Sequence, residues 1–337
     1  MPFRDVVGHR RLISLLARSI ERASLPPSLI LAGPAGVGKR LAAGAVAETL
    51  NCLAPVAFEG GHRDACGSCT SCKRIARGVH PDVLIVEPGE TGTIKIEQVR
   101  DVVDRSGYKP FEGKRRVVIV DEADALVAPA QNALLKTLEE PPPSSIFILV
   151  TSRPDVLLAT VRSRCPRLQF RPLAADDIAR VLMRRGYKEP EARAVAATAE
   201  GSVGQALEAR AGDLVEARGV AERVLGDAGT SADPRRRIES AKDLLGKMSA
   251  DATENRNQLA AHLRAMSSLL RDIELVAARG DAGALANPDV RPSLDRLAGT
   301  YQGERGMRAF AAIDRALAAI DMNVGVKVVA DWLVLQL

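Results

Sequence analysis

The stretch Gly33-Pro-Ala-Gly-Val-Gly-Lys39-Arg40 constrains this chain more than any other, because it stands between the apolar run Ser28 to Ala32 and the helical pattern Leu41 to Leu50. A strand, a turn reading GxxxxGK and a helix together make a phosphate cradle. Gly33, Gly36 and Gly38 let successive backbone N–H groups point inward, the helix start adds partial positive charge, and Lys39 reaches the terminal phosphates. The next position ordinarily carries a Ser or Thr hydroxyl that holds magnesium. Here it is Arg40, a cation with no acceptor, so the loop is expected to support little or no nucleotide turnover.

Such a loop needs a sheet around it. Val83 to Val86, Val117 to Val120 and Ile146 to Val150 are further apolar runs separated by helical patterns. This alternation predicts an α/β fold with a mostly parallel, buried sheet. Ligands of such sheets lie beyond the carboxyl ends of the strands, where Asp121 and Glu122 follow the third run and Thr151 ends the fourth. Asp121 is a candidate to orient magnesium and Glu122 to poise a water, although both equally suit capping the next turn, and with Arg40 in place the pair reads as vestigial.

Cys52, Cys66, Cys69 and Cys72 fall within 21 residues, while the fifth cysteine, Cys165, stands apart and reads as a small buried side chain. Four thiolates in a chain with so few cysteines favour a metal over disulfides. An all-cysteine set leaves no open position for water, so Zn2+ there is structural. An iron–sulfur cluster is the alternative donor chemistry, and the polar surroundings favour zinc. His62 and His80 are nearby and are not needed as ligands.

The 337 residues predict two to three domains, and 46% apolar with 26% charged residues excludes collagen-like, linker-like and disordered chains. No apolar run is long enough to span a membrane, and Arg4, Asp5, Arg10 and Arg11 stand where a secretory signal needs its apolar stretch. The chain reads as soluble and cytoplasmic. From Pro172 onward strand-like runs nearly vanish. The expected division is an α/β domain over residues 1–171 with a metal-binding insertion at 52–72, a small helical domain over 172–208, and an all-helical domain over 209–337. In the last, helices are expected over Asp213 to Leu225, Arg235 to Ala250, Glu254 to Arg279 and Arg305 to Asn323, with turns at Gly226 to Asp233 and Gly280 to Asp289.

The net charge of +5 permits nucleic-acid contact without demanding it. Lys109, Lys114, Arg115 and Arg116 form a basic cluster, and a helix start near Gln131 offers N–H groups to phosphates. With 3% aromatic residues a base-stacking platform is not expected, so any DNA contact is to backbone and salt-sensitive. Asn132 to Pro142 reads as an amphipathic helix with Ala133, Leu134, Leu135 and Leu138 inward, ended by Pro141 and Pro142. Ser163-Arg164-Cys165 follows a short helical stretch, where an arginine at a surface edge can be presented to a phosphate bound by a neighbouring subunit.

In this order, the phosphate loop, the four-cysteine insertion, the Asp121-Glu-Ala-Asp124 strand end, the Asn132 to Pro142 stretch and Ser163-Arg164-Cys165 resemble the bacterial sliding-clamp loader subunits of the AAA+ class. The likeness spans about residues 1 to 210. It implies an AAA+ P-loop NTPase domain, a small helical lid and an all-helical collar. It also implies a place in a DNA polymerase III assembly with delta and gamma/tau subunits, which uses ATP to open the beta sliding clamp and place it on primed DNA. Arg164 then corresponds to an arginine finger acting in trans, Thr151 to the first sensor, and Val7-Gly-His9 to the segment lining the adenine side.

Arg40, Gly204 in place of a nucleotide-sensing arginine, and the chain's length resemble the non-hydrolysing rather than the ATP-hydrolysing gamma/tau type. ATP and Mg2+ are accordingly expected at neighbouring subunits, with this chain's own ATPase absent.

Overall fold

Period-two alternation in the apolar runs decides the architecture. In β1 (Ser28–Ala32), Leu29 and Leu31 join one buried cluster while Ile30 and Ala32 join another. The structure, a computed structural model, describes residues 1–89, 91–199, 201–208, 211–231, 233–246, 248–249, 251–278, 285, 287, 290–322 and 324–337. The chain divides into two compact units, Met1–Asp177 with Ser202–Gly204, and Ile178–Gly201 with Gln205–Leu337.

In the first unit the strands are β1, β2 (Val56–Ala57), β3 (Arg63–Asp64), β4 (Val83–Val86), β5 (Arg116–Val120), β6 (Ser145–Thr151) and β7 (Arg167–Gln169). The main sheet has the order β4-β5-β6-β1-β7 and every pairing in it is parallel, with Ser28 opposite Phe147 and Val83 opposite Val117. A parallel sheet must be covered on both faces. The residues of α1 (Arg10–Glu21) and α2 (Lys39–Asn51) bury one face with Leu29, Leu31, Val117, Ile119, Ile146 and Ile148. On the other, α4 (Ile96–Ser106), α5 (Ala128–Glu139) and α6 (Ala159–Arg162) join Phe147, Leu149 and Val118. Phe147 is fully buried, and its replacement by Ala costs about 3–5 kcal/mol.

β2 and β3 form an antiparallel hairpin, and α3 (Thr70–Ala76) follows it. The buried Asp64 carboxylate at the end of the hairpin accepts the Phe3 N–H at 2.8 Å and the Ala65 N–H at 2.7 Å, tying the insertion to the start of the chain.

α5 starts at Ala128, one turn earlier than a helix start near Gln131, with Pro129 in its first turn. Leu134 and Leu138 are buried, and Ala133 and Leu135 pack partly against the same core. The Gln131 side chain is turned inward, donating to Leu126 O and accepting the Leu158 N–H at 2.7 Å. Nor is the basic cluster a free surface patch. Arg116 is buried and paired with Asp82 at 2.8 Å, and Lys114 donates to Cys52 O.

Beyond the sheet come α7 (Ala175–Arg184), α8 (Glu189–Thr198), α9 (Val203–Glu208), α10 (Ala211–Thr230), α11 (Pro234–Leu245), α12 (Ala252–Ala277), α13 (Arg291–Tyr301), α14 (Glu304–Asp321) and α15 (Val326–Gln336). The last six share one core centred on Leu263, Met266, Leu269 and Ile273 of α12. The turn expected at Gly226 does not form. α10 runs on to Thr230, burying Val224, Leu225 and Ala228 in that core, and its glycine permits a close crossing: a Cβ at Gly229 would lie 2.9 Å from Thr300 Cγ2, and Tyr301 donates to Leu225 O at 2.9 Å. α11 ends at Leu245, where Gly246 has φ +53°, short of the expected extension to Ala250. Ala209, Ala250, Arg279, Asn323 and most of Gly280 to Asp289 lie outside the described residues.

Candidate functional site

The glycine loop begins where β1 is gripped from both sides. The Gly33 N–H donates to Thr151 O at the end of β6, and the Phe170 N–H donates to Ala32 O. A Cβ at Gly33 would lie 2.3 Å from Phe170 O, so this position is closed to any side chain. Gly36 and Gly38 have φ of +72° and +98°, the left-handed region that glycine enters without steric cost. The Val7-Gly-His9 segment packs against the same loop: His9 Nε2 lies 3.1 Å from Val37 O, and its ring meets Phe170 edge-on at 4.7 Å.

The cations of this loop are turned onto the protein's own oxygens. Lys39 is buried, and its ammonium donates to Gly33 O at 2.6 Å, to Pro34 O and to Ser152 Oγ at 3.4 Å. Burial lowers its pKa, opposed by the charges of Asp121 and Asp124. Arg40 Nε lies 3.0 Å from Asp121 Oδ2, and the same guanidinium reaches Glu87 Oε1 at 3.2 Å. A guanidinium therefore sits on the carboxylate that would orient a metal. Glu122 is exposed, with a left-handed φ of +46°.

Thr151 is buried at the strand end and its hydroxyl donates to Asp124 Oδ1 at 2.7 Å. Asp124 also accepts the Ser152 N–H and pairs with Arg153. Burial would raise the Asp124 pKa, yet these donors hold it below the usual carboxylate value.

Gly204 closes over the loop from α9. Its N–H donates to Gly36 O at 3.1 Å, and a Cβ here would lie 2.9 Å from Gly36 Cα. An arginine at this position cannot keep that approach.

The four cysteines converge. Cys52 caps the end of α2, Cys69 caps the start of α3, Cys72 lies in its first turn, and Cys66 follows the hairpin. All four sulfur atoms lie within 4.8 Å of one another. Tetrahedral zinc with Zn–S near ~2.3 Å requires separations of roughly 3.8 Å, so the donor set fits. Backbone N–H groups of Cys66, Cys69 and Cys72 point at Cys52, Cys66 and Cys69 Sγ at 3.3, 3.3 and 3.5 Å. Such donors orient and stabilise thiolate ligands. Hydrogen bonds from Ser68 and the Cys69 N–H, assisted by Cys52, bring the Cys66 thiol down to about 6. Neither histidine joins the set: His62 pairs with Glu21, and His80 meets Ser71 and the Asp82 N–H.

Arg164 follows α6 at the unit's surface. Its Nε and a terminal nitrogen reach Glu139 Oε2 at 3.1 and 2.9 Å, and its other nitrogen donates to Thr160 O. The neighbouring Cys165 is buried, which pushes its thiol up to about 11 and leaves it unreactive at neutral pH. Sequence reading did not single out Glu87, Glu139 or Ser152.

A parallel sheet of this order, with GxxxxGK after β1 and paired acids after β5, defines a P-loop nucleotide-binding fold. Residues 8–174 match the family model described as DNA polymerase III, delta subunit. Among relatives, the Pseudomonas aeruginosa DNA polymerase III subunit delta' is 41% identical over 43% of this chain and 43% of its own. The Bacillus subtilis subunit delta' is 36% identical over 55% of this chain and 54% of its own. The Haemophilus influenzae subunit tau/gamma is 34% identical over 61% of this chain and 30% of its own. The chain thus spans about half or less of each of these relatives. It belongs to the DNA polymerase III clamp-loader family of AAA+ proteins. No described helix is long and apolar enough to cross a membrane.

Proposed function

We propose that this chain is the delta-prime-type subunit of a clamp loader: a non-hydrolysing stator that presents Arg164 to the ATP site of an adjacent gamma/tau subunit. The observation that carries this reading is Arg40 on Asp121, which puts a fixed cation where a hydrolytic site needs magnesium. Lys39 bonded to its own loop and Gly204 pressed on Gly36 support it. Zn2+ held by Cys52, Cys66, Cys69 and Cys72 has a structural role, while ATP and Mg2+ act at the neighbouring subunits. The other partners are the delta subunit and, through the assembled loader, the beta clamp and primed DNA.

The competing reading is an autonomous, gamma/tau-like ATPase, which the retained Lys39, Asp121 and Glu122 favour. Steady-state ATP hydrolysis separates the two. The pure chain is measured beside a one-to-three mixture with gamma/tau, with and without delta, beta clamp and primed DNA. Absence of turnover alone with stimulation of the mixture is expected. Turnover by the pure chain that Lys39→Ala abolishes overturns the proposal.

A further inference from the structure

The second unit holds a cleft that neither the phosphate loop nor the cysteine centre involves. It encloses about 420 Å³ beside α11, α14 and α15, and four arginines line it: Arg237, Arg305, Arg308 and Arg315. The volume is within the range of small-molecule sites, yet Ala311 and Leu335 add little apolar surface. No acidic side chain lines it among the described residues. Arg305, Arg308 and Arg315 share one face of α14, three and seven residues apart, and Arg237 reaches in from α11.

The four guanidiniums meet a single carboxylate, that of Leu337, so most of their charge is not cancelled. Arg237 donates to Ser231 O at 2.7 Å, and Arg305 donates to Gly229 O and Ala228 O at 3.3 and 3.4 Å and to the Leu337 terminal carboxylate at 3.4 Å. Arg315 lies over the Trp332 ring at 5.2 Å and donates to Ala311 O. Arg308 is exposed and has no hydrogen-bond or ion-pair partner among the described residues. Four cations against one carboxylate leave an excess of positive charge, which favours a multiply charged anion over an apolar ligand.

From this geometry we infer that the cleft is a binding site for phosphate-bearing polyanions. Planar guanidinium forks match phosphate oxygens in pairs, and several on one wall engage successive phosphates. The shared chemistry is that of a nucleic-acid backbone or of a free oligophosphate. An acidic peptide would rely on apolar anchors that this lining scarcely offers.

Trp332 is the only tryptophan in the chain and lies under the Arg315 guanidinium, so its emission reports on that wall of the cleft. The full chain is titrated at low salt with tripolyphosphate, with a 20-base-pair DNA duplex and with a twelve-residue polyglutamate peptide. Saturable change in Trp332 emission with tripolyphosphate or the duplex is expected. Tripolyphosphate alone identifies a free oligophosphate as the source, whereas a duplex response, competed by tripolyphosphate, identifies the nucleic-acid backbone. Arg308→Ala replaces an exposed helix residue by the best helix former, so it keeps the fold. It should weaken binding about tenfold and reduce the slope of log affinity against log salt by about one. Lys39→Ala should leave the response unchanged, which keeps the outcome separate from that of the phosphate loop. No Trp332 response to either phosphate ligand, an equal response to polyglutamate, or full affinity in both Arg308→Ala and Arg308→Glu overturns the inference.

Discussion

Arg40 Nε stands 3.0 Å from Asp121 Oδ2, so the residue after the loop lysine is ion-paired to the acid that follows strand β5. With Glu87 on the same guanidinium, two carboxylates share one tethered cation. A divalent ion entering here must displace a charge that cannot leave. The pair is half-exposed, so it adds little stability, at most about 1 kcal/mol. Its effect falls on what the site admits.

Arg40→Thr supplies the missing hydroxyl and frees Asp121. Binding of a fluorescent ATP analogue in the presence of magnesium should tighten by roughly tenfold or more, about 1.4 kcal/mol. Thermal stability should change little. Equal affinity in both proteins would mean that some other feature, with Lys39 and Gly204 the first suspects, governs access.

The cysteine centre ties the end of α2 to the start of α3 through side chains that have no other cross-link. Freshly purified protein should contain one zinc per chain by elemental analysis. Stripping it with a strong chelator under reducing conditions, or replacing buried Cys72 by Ser, should destabilise the first unit by about 3 kcal/mol or more. In a unit of this size that lowers Tm by roughly 6–12 °C. An unchanged melting curve after verified metal removal would count against a structural role.

Asp82 accepts N–H groups from Phe111, Glu112 and Gly113 at 2.7–2.9 Å and pairs with buried Arg116. Burial alone would raise its pKa, but the three N–H groups and Arg116 bring it down to about 2. The folded value lies below the unfolded one, so the stabilisation is full above about pH 4 and is lost as pH falls toward 2. It amounts to about 2 kcal/mol. Asp82→Asn should cost more at pH 7, about 3–5 kcal/mol, because it strands the Arg116 charge. The gap between variant and native protein in urea unfolding should narrow below pH 4. A gap independent of pH would show that packing, not charge, is lost.

Much of the sheet is legible in sequence because four of its strands are continuous apolar runs ending at marked turns. Burial on both faces leaves them no other composition. β7 escapes, since Arg167-Leu-Gln169 is a short edge strand whose pairing with Ile30, Leu31 and Ala32 is purely backbone. α15 escapes for the opposite reason: Val326, Val328, Val329 and Val334 have strand propensity that helix packing overrides. The glycine loop and the cysteines stand at short, regular spacings, so they are readable. Glu87 beside Arg40 and Glu139 beside Arg164 are brought there by the fold from 47 and 25 residues away, and single acids carry no local signal. Gly204 is readable as a departure from an expected arginine, but its reason, the 2.9 Å approach to Gly36, exists only in three dimensions.

Arg164 is held in this structure by Glu139, at the end of α5. Both side chains are partly exposed, so the pair is worth at most about 1 kcal/mol, weak enough to exchange for a phosphate oxygen presented by a partner. Arg164→Ala should therefore leave the melting temperature of the isolated chain nearly unchanged while lowering ATP hydrolysis of the mixed complex. The loss should be partial, because the proposed role places this arginine at a single interface, even though an arginine finger is worth orders of magnitude at its own site. Arg164→Lys should not restore the rate, since an ammonium lacks the planar fork. Glu139→Gln releases the guanidinium without removing it, and the mixed complex should then hydrolyse ATP at the native rate or faster by up to about fivefold, the kinetic equivalent of about 1 kcal/mol. If Glu139→Gln instead lowers the rate as far as Arg164→Ala does, Glu139 positions the arginine for catalysis rather than parking it. If Arg164→Ala leaves the rate of a fully assembled complex intact, the arginine does not act in trans.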